Sequence, residues 1–180
     1  MNRYQALAIY AILIIATGVI LISLAYFPSR VIQYAIAVTM VASAVFAFLT
    51  AYKSKGLQIP LKYHGLHAIG MTIYGFAVLF YASDIERFFR LTTFFLLYYG
   101  ISECIFAMRI FSMRLQNINT NIVVSRLVIG FVIALGAVIV IATATINQNQ
   151  ALLFSGIVFI FSGINLILFK KVLKRLAEPM

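Results

Sequence analysis

Six runs of about 20 predominantly apolar residues, each broken from the next by a short polar stretch, take up most of the 180-residue chain. A helix rises 1.5 Å per residue, so a run of this length matches the roughly 30 Å hydrocarbon core of a bilayer. The runs lie near 5–26, 31–52, 63–82, 89–109, 121–143 and 150–169. Between them stand "FPSR" around Pro28, "KSKGLQIPLK" with Gly56 and Pro60, "SDIER", "SMRLQNINTN" and "INQNQ". Charged residues make up 10% of the chain against 64% hydrophobic, too few to clothe a soluble domain of this size. The expected fold is all-α, a polytopic membrane protein with six transmembrane helices in one domain over 1–180.

A net charge of +10 would point to nucleic acid in a soluble protein, but here the 14 Lys and Arg residues gather in segments between apolar runs. Arg3, Lys53, Lys55, Lys62, Arg109, Arg114, Arg126, Lys170, Lys171, Lys174 and Arg175 fall on one side; Arg30, Arg87 and Arg90 fall on the other. Positive charge stays inside, so both termini are expected in the cytoplasm and no nucleic-acid partner is expected. The first run is longer than the roughly 7–15 apolar residues of a signal peptide, and only Arg3 precedes it. It is expected to remain as a helix, although "SLA" at 23–25 loosely fits a cleavage site.

The runs pair as hairpins over approximately 1–56, 57–116 and 117–180, the last ending in a basic tail at 170–180. Gly18 and Ser43, Gly75 and Gly100, and Gly136 and Gly163 mark corresponding points, separated by 25, 25 and 27 residues. With Gly130, these are candidate helix-packing positions, because small residues let backbones approach where lipid supplies no hydrophobic drive.

Three hairpins, a small-residue motif in each helix, basic inner connections and "YYGISECIFAMR" closing the fourth run resemble the HdeD-like family of bacterial acid-resistance membrane proteins. Its "G-I-x-E" element is matched by Gly100, Ile101 and Glu103, with a basic helix end at Arg109, and its third-hairpin glycine spacing by Gly130 and Gly136. Pro28 supplies a proline that the other two outer turns lack, and Ser43 stands where glycine is expected. The resemblance implies a bacterial inner-membrane protein linked to acid or envelope stress, and carries no catalytic residues with it.

Gly100, Glu103, Cys104 and Ala107 share one face of the fourth helix. A carboxylate at bilayer depth costs roughly 2.5–3.5 kcal/mol on insertion scales, so Glu103 needs a partner or a role. His67, Arg126 and Asn165 lie at a similar depth on the third, fifth and sixth helices, about 6–9 Å inside the inner boundary by helical rise. These four form a candidate buried polar cluster, with Glu103 paired to Arg126 or His67. Two readings stand: a cluster that binds or relays a proton, and a salt bridge that pins packing. Arg126 has a second option, to snorkel to the headgroups. His64 and His67 are spaced like two metal ligands, but no third joins them, and interfacial capping or headgroup contact is the simpler reading. Cys104, the single cysteine, excludes an internal disulfide and reads as packing.

No nucleotide loop, zinc motif, nucleophile elbow or carboxylate pair is present, so neither enzyme, metal nor cofactor is expected. The expected partner is the lipid bilayer, and a membrane-protein partner or a homo-oligomer is compatible. The expected role is acid or envelope-stress support through protein or lipid partners. The alternatives are a small proton- or solute-conducting carrier or channel built on Glu103, and a scaffold subunit of a membrane complex. Reporter fusions after Asp84 and after Asn147 should read as external; cytoplasmic readings at both would overturn this topology.

Overall fold

The structure, a computed structural model, describes residues 2–53, 63–112, 120–142 and 147–177. Lys55, Gly56, Pro60, Lys62 and Arg114 lie outside the described residues, as do the side chains of Val172, Leu173, Lys174, Arg175 and Leu176. The described residues form six helices: α1 (Arg3–Tyr26), α2 (Arg30–Tyr52), α3 (Tyr63–Tyr81), α4 (Ile85–Ser112), α5 (Thr120–Ala142) and α6 (Gln148–Ala177). Five are long and apolar enough to cross a membrane. The exception is α3, whose 19 residues include His64, His67 and three glycines that dilute its hydropathy.

Side chains that accept orphan backbone N–H groups set where helices begin. Asn2 and Gln5 form a reciprocal capping box at the start of α1. Ser29 Oγ accepts from the Val31 N–H (3.2 Å), Asp84 Oδ1 from Arg87 (2.8 Å) and Asn147 Oδ1 from Asn149 (3.0 Å), so α2, α4 and α6 each start on a polar cap. At Asp84 the Arg87 backbone N–H, helped by the Ser83 hydroxyl, holds the carboxyl below its ordinary range. This cap starts α4 four residues before the apolar run. Its polar first turn is helical and carries an exposed Glu86–Arg90 pair one turn apart. Apolar length therefore measures the membrane, not the helix. α6 likewise continues helically through the basic stretch to Ala177 rather than ending at the charges.

The helices stand in a closed ring, each against its chain neighbours, with α6 returning to α1 in the most extensive interface of all. α4 meets α5 and α2 meets α3 almost as broadly, whereas α3 with α4 and α5 with α6 share much thinner interfaces. Inside the ring, aromatic side chains bridge helices that are not neighbours: Tyr99 and Phe95 of α4 each lie 5.9 Å, ring to ring, from Phe159 of α6.

The glycines explain which interfaces are tight. A Cβ on Gly100 would lie 2.6 Å from the Ala134 nitrogen and 2.7 Å from the Gly130 carbonyl oxygen of α5. One on Gly163 would meet the Ala11 carbonyl of α1 at 2.7 Å, and one on Gly75 the Ala37 carbonyl of α2 at 3.1 Å. Gly18 abuts Gly156 of α6, and Gly130 abuts Cys104 and Glu103 of α4. Gly136 differs, since the Phe154 ring of α6 fills the space beside it. Ser43 is buried and returns its hydroxyl to the Thr39 carbonyl of its own helix. Close backbone approach thus joins the hairpins to one another, at α6–α1, α2–α3 and α4–α5.

Replacing Gly100 by Ala forces α4 away from backbone atoms that cannot rotate aside, and is expected to destabilise by about 1–3 kcal/mol in detergent unfolding titrations. Gly65→Ala, whose Cβ would meet only the Ala51 methyl at 3.9 Å, is the control and should be nearly neutral. Equal effects at the two glycines would remove close approach as the cause.

Candidate functional site

Glu103 sits in a buried stripe of α4 that runs Phe95, Tyr99, Glu103, Phe106 and Ile110, spaced three or four residues apart. The stripe points its carboxylate inward, only 4% exposed, while Cys104 beside it turns to α5, its sulfur 3.8 Å from the Leu127 carbonyl oxygen. Across the tight glycine seam, α5 presents Arg126 at the matching level, 2% exposed.

The two side chains meet as a fork on a fork. Arg126 Nε donates to Glu103 Oε2 at 2.8 Å and Nη2 to Oε1 at 2.7 Å. The guanidinium carbon lies 4.3 Å from the centre of the Phe106 ring and 4.8 Å from that of Phe169 on α6. Aromatic faces attract a desolvated cation, each contact contributing about 0.5–2 kcal/mol. Arg126 therefore does not snorkel. A side chain long enough to reach the headgroups instead finds a carboxylate and two rings at its own depth.

His67 joins from α3. Its Nε2 is 3.7 Å from Glu103 Oε1, within electrostatic reach but too long for a hydrogen bond, and its Nδ1 is 3.3 Å from the Tyr10 hydroxyl of α1. His64 is equally buried, its ring close to those of His67 (5.6 Å), Phe106 (5.4 Å) and Tyr10 (5.8 Å). The interfacial reading of the two histidines is corrected: both are fully buried, because the i, i+3 pair falls on the inward face of α3.

Asn165 reaches the cluster's edge rather than the ion pair. Its Nδ2 donates to Ser125 Oγ, while its residue, with Ser162, Ile129, Glu103 and Arg126, lines a small cavity between α4, α5 and α6. Of the four residues singled out by depth, the structure brings Glu103, Arg126 and His67 together and sets Asn165 beside them. Depth and polarity do not indicate Tyr10, Tyr99, Phe106 and Phe169 as members of this surrounding, whereas Ser162 shares a helix face with Asn165. Phe106 and Tyr99, one turn to either side of Glu103, carried the signal in their spacing; Tyr10 carried none.

In comparisons with known proteins, no family model matches the chain, nor does any curated protein or any solved structure.

Chemically, the pair is closed. Both carboxylate oxygens are taken by one guanidinium, and the charges cancel locally. Removing one partner leaves the other charged and buried, so Glu103→Leu or Arg126→Met alone should destabilise by roughly 3–5 kcal/mol in unfolding titrations. The double replacement Glu103→Leu/Arg126→Met should recover most of that loss. A double variant no better than the worse single one would show that the residues do not act as a pair.

Proposed function

We propose that the chain is a six-span integral protein of the bacterial inner membrane, of HdeD-like type, with both termini in the cytoplasm. In this reading it supports acid or envelope-stress tolerance without catalysis, through protein or lipid partners. The observation that carries the non-catalytic part is the bidentate Glu103–Arg126 pair, capped by Phe106 and Phe169, which occupies both oxygens of the buried Glu103 carboxylate and keeps it from acid, base or nucleophile work.

Counting α3 as the sixth span rests on where its polar groups go. His64 and His67 are buried, whereas Leu66, Ile69, Ile73, Phe76 and Phe80 make up an exposed apolar face. Nineteen residues rise about 28 Å, close to one bilayer core. A low average hydropathy thus coexists with a surface fit for lipid. The threefold hairpin plan finds support in the shared caps of α2, α4 and α6 and in the glycine contacts at the three seams between hairpins. Lipid or protein partners find an apolar surface with two furrows beside α3: one of ≈ 400 Å³ against α2, lined by Ala44, Phe48 and Ile69, and one of ≈ 270 Å³ against α4, lined by Gly70, Phe94 and Tyr98.

One observation favours the carrier reading. Tyr10, His67 and Glu103 form a string of titratable side chains from α1 to α4. The readings separate in two measurements. A strain lacking the protein should lose survival at low pH and regain it from the wild-type gene, while purified protein in liposomes loaded with a pH-sensitive dye should conduct no protons. Unaltered acid survival of the deletion strain would sink the stress role. Proton flux that Glu103→Gln abolishes in folded protein would replace it with the carrier.

A further inference from the structure

Among the described residues seven buried side-chain polar atoms lack a hydrogen-bond partner; four belong to His64, His67 and Tyr99, and the other three, Arg126 Nη1, Ser162 Oγ and Asn165 Oδ1, gather on the far side of the ion pair. Their residues are 2%, 4% and 6% exposed, and all three line the same cavity with Glu103 and Ile129. An unsatisfied buried donor or acceptor forfeits its hydration without return, and three around one space call for a common answer. The space is small, ≈ 10 Å³ for the centre of a water-sized sphere, about the minimum that one water needs.

We propose that this is a binding site for a single water molecule, held between α4, α5 and α6 on the Nη1 side of the guanidinium. The partners select the ligand by its hydrogen-bonding chemistry. Arg126 Nη1 only donates, and Asn165 Oδ1 only accepts, so the ligand must accept from one and donate to the other. Water does both. A halide only accepts, an ammonium ion only donates, and both carry a charge that the neutral ion pair does not ask for. The ≈ 10 Å³ matches the space that one water needs. The Asn165 amide is anchored by Nδ2 donating to Ser125 Oγ, and with the amide turned over a polar atom still faces the cavity, which water satisfies equally.

The location agrees with the packing. α5 and α6 share the thinnest interface between chain neighbours in the ring, and α4 meets α6 over only a small area. The Asn165–Ser125 hydrogen bond is a direct side-chain tie between α5 and α6 here, and a bridging water adds a second, through Arg126 on one side and Ser162 with Asn165 on the other. The inference stands on the cavity and its polar lining, and holds whether the protein supports stress tolerance or carries protons.

Full-length protein in lipid nanodiscs tests it by infrared spectroscopy with exchange into H2(18)O. The wild type should show an O–H stretch of an isolated, hydrogen-bonded water that shifts with the isotope. Ser162→Ala and Asn165→Ala should each move or remove that band, and Ser43→Ala, whose hydroxyl bonds its own helix, should not. Thermal unfolding supplies an independent sign. If water is bound, Ser162→Ala takes a partner from it and lowers Tm; if the cavity is dry, the same change deletes an orphan hydroxyl and leaves Tm level or raised. No isotope-sensitive band in the wild type, a band unmoved by both variants, a Tm not lowered by Ser162→Ala, or a Tm that depends on exchanging chloride for gluconate would each overturn the proposal.

Discussion

A carboxylate and a guanidinium set among apolar helices each need the other, and that need fixes more than a contact. Glu103 and Arg126 must stand at one depth and on facing stripes, so their pairing sets the register of α4 against α5. The bidentate geometry narrows this further, because a fork on a fork admits one orientation where a point charge admits many. Gly100 and Gly130 make the meeting possible. A Cβ at Gly100 would drive into the α5 backbone at 2.6 Å, and one at Gly130 would press on Cys104 and Glu103 at 3.0 Å. The small-residue stripe and the ion pair are therefore one device, the first supplying proximity and the second supplying register.

Much of this was legible in the residues. Apolar runs located all six helices, and the depth of Glu103, His67 and Arg126 along their helices indicated that the three could meet. The choice among partners was not legible. Distance along a helix says nothing of azimuth between helices, and only packing of α3, α4 and α5 decides that Arg126 takes both oxygens while His67 stops at 3.7 Å. Apolar runs stop short of the helix where a polar cap begins it, as at Asp84, because hydropathy reports on lipid and caps report on backbone; beyond Lys170 the sequence is compatible with both continuation and a stop at the charges, and α6 continues. Tyr10 was invisible for a different reason. A tyrosine in an apolar helix reads as bulk until the fold carries it across the ring to His67.

The interior is uneven in consequence. Where hairpins meet, backbone touches backbone; within the second and third hairpins, neighbours stand further apart and large rings or polar groups occupy the gap. Tyr98 beside Gly70 and Phe154 beside Gly136 are two versions of that filling. The packing is therefore broad at the seams and in the first hairpin and thin in the other two, with the polar residues lodged beside the thin corner between α5 and α6.

The α1–α6 seam carries a consequence for biosynthesis. The broadest interface joins the first helix made to the last, through Gly18 against Gly156 and Gly163 against Ala11. Chains are delivered to the membrane from the N-terminus, so the face of α1 that carries Ala11 and Gly18 waits uncovered until α6, which begins at Gln148, has emerged. Through most of synthesis the ring is an open arc with one adhesive edge. Lipid, or another nascent chain's α6, is what that edge first encounters, and a stalled or truncated chain ending before α6 would leave it exposed for good.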